Sequence, residues 1–204
     1  VLSRALKVEE GNLRLISFEN SGGSFGIKQA IMPMIILTCL ASRLSNKQVV
    51  WVEDRMEHLT AASSATGRLT KIKASIDDQG TIHALDYDQI DDVGAYPRAP
   101  EPASLYRMHG NLSGAYKVKN IRCRNRVILT NKTPSGLNRG FGGPQHYFAL
   151  ERLVHQIAVE LKLNVLDVIK INLLEKNQFP YKSPSGALLD SCLLYTSDAA
   201  DELC

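Results

Sequence analysis

Apolar positions along the chain change their period several times, and each change predicts an element. Leu13-Arg14-Leu15-Ile16-Ser17 alternates as a strand running into a loop over 19–26. The run Ala30-Ile31-Met32-Pro33-Met34-Ile35-Ile36-Leu37-Thr38-Cys39-Leu40-Ala41 predicts a buried helix over 29–45, with Pro33 accommodated in its first turn. Val49–Val52 reads as a short buried strand, and Asp54–Leu59 starts a helical or turn segment. Leu69–Ile76 and Thr81–Gln89 alternate apolar and polar residues around Asp77-Asp78-Gln79-Gly80, the pattern of a hairpin closed by glycine. Between Lys117 and Asn131, Ile121, Cys123, Val127 and Leu129 share one strand face, while Arg122, Arg124 and Arg126 share the other. Leu150, Leu153, Val154, Ile157, Ala158 and Leu161 recur at helical spacing, which predicts an amphipathic helix. His155 lies off that stripe and His146 is read as a helix-start residue. Asn164 suits the cap of a short helix reaching Leu173. Strands and helices interleave without regular βαβ spacing, so the expected fold class is mixed α/β (α+β).

Composition narrows the function classes. The chain has 204 residues, 44% hydrophobic and 22% charged, which is ordinary for a globular protein. A net charge of +3 suggests no nucleic-acid partner without a focused patch. The basic strand near Arg124 lacks the interleaved aromatics of a stacking platform, so it is read as a half-buried strand with a solvated basic side. The apolar run is shorter than the roughly 18 residues of a membrane span. Cys39 and Cys123 are expected to be reduced core residues. The four cysteines and five histidines form no CxxC, HExxH or HxH pattern, so no protein-ligated metal is expected. Val1-Leu2-Ser3 is not an initiator context and shows no signal peptide, so the chain reads as cut at its start and cytoplasmic.

The tail from Cys192 to Glu202 reads as a translated sequencing adapter, a transposase end followed by a primer site. Residues 192–204 are therefore expected to be non-native, leaving 1–191 as one partial domain truncated near Ser191.

Two loops carry the candidate chemistry: Gly22-Gly23-Ser24-Phe25-Gly26-Ile27-Lys28 and Arg139-Gly140-Phe141-Gly142-Gly143. Each precedes a predicted helix, whose free amides and positive end suit an anion or an electronegative oxygen. Neither has Walker A or GxGxxG spacing. Taken singly, turn, anion site and substrate wall all remain open for each loop.

Together the loops resemble the molybdenum-cofactor subunit of the xanthine dehydrogenase, aldehyde oxidase and aerobic carbon monoxide dehydrogenase family. GGSFGIK is similar to that family's GGGFGxK loop, with Ser24 in place of a glycine, and RGFGGPQ is similar to the xanthine dehydrogenase form of the second loop. ASLYRMHGNLSGAYKVKNIR, ALERLVHQIA and LLDS also look familial, so the resemblance covers nearly all of 1–191.

The resemblance implies part of the molybdopterin-binding domain of a molybdenum hydroxylase catalytic subunit. Such an enzyme oxidatively hydroxylates an aldehyde, heterocycle or similar small molecule, with water as oxygen source. Its molybdenum would be held by a pterin dithiolene, in the cytosine dinucleotide form, rather than by side chains. FAD and iron–sulfur clusters would sit on partner subunits. By the same resemblance Gly22, Gly23, Ser24, Phe25, Gly26, Arg139 and Gly140 line the cofactor, with amides of the first loop beside the metal's oxygen. Arg107, Arg139 and Phe141 are the catalytic candidates: Arg107 to polarise substrate, Arg139 near the metal and Phe141 as a substrate wall.

Two departures bear on the substrate. Gln29 stands where purine-oxidising members carry glutamate, which argues against xanthine. Gly140 stands where copper-containing carbon monoxide dehydrogenases carry cysteine, which removes the thiolate that copper needs. The general-base glutamate of the family falls beyond Ser191 and an oxo-binding glutamine before Val1, so this piece is expected to be inactive alone. The alternatives are a carbon monoxide dehydrogenase-like large subunit without the copper cysteine, a non-catalytic anion- or nucleotide-binding module, and a structural domain whose loops are turns.

Overall fold

The structure is a computed structural model that describes residues 1–98 and 108–190, with only the backbone at Gln29 and Ala30. Those residues form two compact units. One is drawn from Val1–Thr66, 93–98 and Leu129–Arg139, the other from Gly67–Asp92, 108–128 and 140–190. The elements are helices and strands in mixed order, as the α/β reading expects.

The second unit is built on three strands, β1 (Gly67–Ile76), β2 (Ile82–Asp92) and β3 (Asn120–Ile128), in the order β1-β2-β3. The predicted hairpin forms. β1 and β2 are antiparallel, and Asp77 Oδ1 closes the loop by accepting from the amides of Gln79 (3.0 Å) and Thr81 (2.9 Å). Gly80 completes that turn at φ 85°, a left-handed value that favours glycine. β3 runs parallel to β2, so Leu85 stands opposite Ile121 and Tyr87 opposite Cys123.

Two further helices cover the inner sheet face: α4 (Gly143–Leu161) and α5 (Val165–Asn172). Leu150, Val154, Ile157 and Ala158 of α4 are buried with Leu85, Tyr87, Val118 and Val168, which is the stripe read from the sequence. Asn164 caps α5 as expected, accepting from the Leu166 amide at 2.8 Å, and His155 is exposed. Buried Asn172 ties α5 to the hairpin. Its Oδ1 accepts from the Ile82 amide, and its Nδ2 donates to the carbonyls of Gly80 and Val168, each at 2.8 Å. His146 does start a helix, in the first turn of α4, but its ring is fully buried. Nε2 donates to the Leu112 carbonyl at 2.9 Å, and burial lowers the pKa below that of a free histidine.

The outer sheet face is charged in stripes. Arg122 pairs with Asp86 (2.5 Å) and Arg126 with Asp88 (2.7 Å), so the acids of β2 answer the basic side of β3. Hydrogen bonding from Arg122 holds the Asp86 carboxyl below the usual aspartate range. Val127, expected inward, is 40% exposed, because the inward alternation of β3 stops at Asn125, and Leu129, expected on the same face, is 60% exposed just past the strand.

The first unit holds α1 (Leu2–Leu6), α2 (Met32–Ser45) and α3 (Arg55–Ala61). Pro33 lies in the first turn of α2, as expected, and a 3-10 turn over Ile27–Ala30 precedes that helix. Asp54 caps α3 through a reciprocal box: its Oδ1 accepts from the Glu57 amide (2.8 Å) and the Glu57 carboxylate accepts from the Asp54 amide (2.9 Å).

Three expectations fail here. Residues 13–17 and 49–52 take no regular form and pair in none of the described sheets, so no neighbouring strand takes up their backbone groups. Ile16 is 60% exposed and Val52 is 80% exposed. The helix over 29–45 was expected to be buried, yet α2 has no buried residue, and Leu44 is 88% exposed. Cys39 and Cys123 are free thiols, as expected, both at intermediate depth, and Cys123 of the second unit packs against that unit's hydrophobic core. Among the described residues, no helix is long and apolar enough to cross a membrane.

Candidate functional site

The first glycine loop is irregular backbone that bends twice into the left-handed region, at Phe25 (φ 53°) and Gly26 (φ 96°). A non-glycine residue at such φ is uncommon, so Phe25 marks a constrained turn. Its ring is 68% exposed. The turn closes on itself, the Ile27 amide donating to the Ser24 carbonyl at 3.1 Å and the Gly26 amide to Ser24 Oγ at 3.3 Å. The amides of Gly22, Gly23, Ser24 and Phe25 donate to no described residue. Side chains added at Gly22 or Gly23 would meet open space.

The segment leading into the second loop is joined to this turn within the same unit. The Arg139 amide donates to the Phe25 carbonyl at 2.7 Å. A Cβ at Gly26 would lie 2.7 Å from Leu137 Cδ2 and 3.2 Å from the Leu137 carbonyl oxygen, and the φ of 96° itself favours glycine at this close packing. The structure therefore brings Phe25, Gly26 and Arg139 together. The Arg139 side chain is exposed and its guanidinium has no described partner.

The rest of the second loop opens the other unit. Gly140 (φ 92°) and Gly142 (φ 86°) bracket Phe141, which is half-buried, and Gly142 is the N-cap of α4. The Gly143 amide donates to the Gly140 carbonyl at 2.8 Å, closing a turn just before the helix. A Cβ at Gly140 would meet Pro144 Cδ at 3.0 Å, on a backbone that is already strained for any L side chain. Arg107 lies outside the described residues.

Sequence reading missed the supports beneath the first loop. Lys28 forms an ion pair with the Glu53 carboxylate, and His58 Nδ1 contacts the same Oε2 at 3.0 Å. Hydrogen bonding from Lys28 first, then from His58, lowers the Glu53 pKa against the opposing effect of desolvation. Ser63 Oγ donates to the Ile27 carbonyl at 2.8 Å. These residues border a cavity of about 60 Å³ shared with Met34 and Trp51. The Lys28–Glu53 and Ser63–Ile27 pairs span 25 and 36 positions and carry no local motif, so only three-dimensional proximity reveals them.

The donors gathered at the first loop and at Arg139 are neutral amides and a guanidinium. That set suits electronegative oxygens or phosphate and does not suit a bare cation. Among the described residues, no group of three His, Cys, Asp or Glu side chains could hold a metal ion. A metal bound here would need to bring its own ligands, and the residues present fit such an organically ligated group.

The comparisons agree on one family. The profile of the molybdopterin cofactor-binding domain matches residues 1–173. The gamma subunit of the 6-hydroxypseudooxynicotine dehydrogenase complex of Paenarthrobacter nicotinovorans is 30% identical over 181 residues, covering 89% of this chain and 23% of that protein. The carbon monoxide dehydrogenase large chain of Hydrogenophaga pseudoflava is 28% identical over 197 residues, 94% of this chain and 24% of the relative. Quinoline 2-oxidoreductase from Pseudomonas putida 86 superposes with a TM-score of 0.80 at 30% identity, over 89% of this chain and 24% of that one. The chain thus spans about a quarter of the length of each of these three proteins.

Proposed function

The chain belongs to the molybdopterin cofactor-binding domain family, and from that premise we propose that it is part of the catalytic subunit of a molybdenum hydroxylase. The reaction is oxidative hydroxylation of an aldehyde, an N-heterocycle or a similar small molecule, with water as oxygen source. The observation that carries this reading is the Arg139 amide bonded to the Phe25 carbonyl, which joins one glycine loop to the entry of the other.

Gly22, Gly23, Ser24 and Phe25 hold the cofactor through their free N–H groups, while Gly26 supplies the bend. Arg139 and Gly140 line it further along the chain. Arg139 contributes a fixed positive charge against negative charge that develops in the transition state. Phe141 forms an apolar wall that orients the substrate. Arg107, outside the described residues, is assigned to polarising the substrate. When bound, the molybdenum group supplies two-electron oxidation of the substrate carbon. The cofactor is assigned as the cytosine dinucleotide form, with FAD and iron–sulfur clusters on partner subunits and the whole enzyme cytoplasmic.

A carbon monoxide dehydrogenase-like large subunit is the second reading, supported by similarity to that chain. Gly140 weighs against its copper chemistry twice. It offers no thiolate, and its φ of 92° would strain a cysteine placed there.

The test is replacement of Arg139 by Ala and of Phe141 by Ala in the full-length protein. Arg139→Ala is expected to lower kcat by about 10²–10³ with molybdenum content largely kept, the size of loss seen when one transition-state donor is removed. Phe141→Ala should act mainly on KM. Unaltered turnover in both variants would reject the assignment. Phosphate-ligand binding without molybdenum would support a non-catalytic module instead.

A further inference from the structure

Ser63 is 4% exposed and comes immediately after Ala62, the C-cap of α3. The Ala62 amide closes that helix by donating to the His58 carbonyl at 3.0 Å, and the Asp54–Glu57 box fixes its other end. Ser63 therefore sits at the end of a braced helix, and it touches two different backbones. Its Oγ donates to the Ile27 carbonyl at 2.8 Å, just past the first glycine loop. Its Cβ and Oγ occupy the space over Gly136, where an added Cβ would lie 2.7 Å and 2.8 Å from them. The Gly136 amide donates to the neighbouring Ser64 carbonyl at 3.0 Å, which holds that backbone close.

Three residues after Gly136, Arg139 bonds the Phe25 carbonyl, and between them Leu137 fills the space over Gly26. The two backbones thus meet at three points: Ser63, the Leu137–Gly26 contact and the Arg139–Phe25 bond. Of these residues, only Ser63 belongs to neither segment. We propose that Ser63 is a positioning residue, setting the distance between the first glycine loop and the backbone that carries Arg139. Serine answers both demands of the place. Alanine would remove the hydroxyl that donates to the Ile27 carbonyl. A side chain larger than serine would press on the Gly136 backbone, in a gap that already excludes a methyl group. The role rests on the molybdenum-hydroxylase reading only for its functional consequence, since the geometry stands without it.

Three variants of the full-length protein separate the two contacts: Ser63→Ala, Gly136→Ala, and the double variant Ser63→Gly/Gly136→Ala. The readouts are hydrogen exchange at the Ile27 and Arg139 amides, both hydrogen-bonded across or within the loops, and molybdenum per chain. Ser63→Ala should speed Ile27 exchange about tenfold and leave Arg139 within threefold of wild type. Gly136→Ala should speed Arg139 exchange at least tenfold and lower molybdenum content at least threefold. In the double variant the added methyl group takes the space vacated by the serine. Arg139 exchange and molybdenum content should then return to within threefold of wild type, while Ile27 stays fast. A merely destabilising substitution would not be rescued by a second one. Unchanged exchange in both single variants, or a double variant as perturbed at Arg139 as Gly136→Ala, would overturn the proposal. If Gly136→Ala fails to fold, Ile27 exchange in Ser63→Ala decides alone: faster exchange supports the role and wild-type exchange rejects it. Wild-type protein that holds no molybdenum would sink the functional reading, while the exchange results would still judge Ser63.

Discussion

The two units of the chain solve the problem of holding a shape in opposite ways. The second unit buries apolar side chains: Leu85, Tyr87, Leu150, Val154 and Val168 are each at most 2% exposed. The first unit buries few, among them Leu6 and Val93, and leaves Leu15, Phe18, Leu44, Val50 and Val52 each at least 75% exposed. What organises the first unit is polar and specific, including a capping box at Asp54, the Lys28–Glu53–His58 cluster and the Ser63 hydroxyl. The glycine loop, whose amides at Gly22 to Phe25 donate to no described residue, belongs to this second kind of architecture. Burial gives a large, non-directional stabilisation. Single hydrogen bonds and exposed ion pairs give little each but fix backbone positions closely. A loop that must present several amides in set directions gains more from the latter.

The sharpest break in the comparison is a pair of leucine truncations. Leu150→Ala removes a fully buried side chain and should cost about 2–5 kcal/mol, whereas Leu44→Ala should stay within about 0.5 kcal/mol. Urea unfolding followed by far-ultraviolet circular dichroism reads both, and equal costs would mean that the two units do not differ as described.

A smaller effect is expected from Asp54→Ala, which deletes one arm of the box that starts α3. The loss should be about 1 kcal/mol, seen as faster hydrogen exchange confined to 55–61. Exchange spreading equally through α4 would contradict a local role.

The smallest is a pH effect at Glu53, whose pKa is lowered from its ordinary value of 4.5 mainly by Lys28. A depressed carboxylate stabilises the fold above its unfolded pKa, and that contribution disappears as pH falls through the folded value. Glu53→Gln should therefore melt slightly below wild type at pH 6, with the difference vanishing well below pH 4.5. A difference that persists unchanged into acid would show that packing, not charge, accounts for it.

Legibility followed the same division. The hairpin around Asp77–Gly80, the stripe from Leu150 to Ala158, the Asn164 cap and the Pro33 position were readable because period, turn chemistry and capping act within a few residues. The strands expected at 13–17 and 49–52 were misread because alternation reports a wish to pair and says nothing of a partner. The buried helix over 29–45 was misread for a related reason: apolar composition does not place an opposing surface against α2. At the candidate site, both loops stood out from their glycines and from Arg139, whereas Ser63, Glu53 and Leu137 carried no local signal.

The sequence by itself determined where the chain turns, which helices and strands are amphipathic, and which glycine-rich stretches mark the family. Those properties depend on the allowed φ of each residue and on the spacing of neighbours. Only the tertiary structure decided that the Arg139 amide meets the Phe25 carbonyl, that Gly26 makes room for Leu137, and that Ser63 touches both segments. Such contacts join residues tens to more than a hundred positions apart, and their geometry exists only once the intervening chain has folded between them.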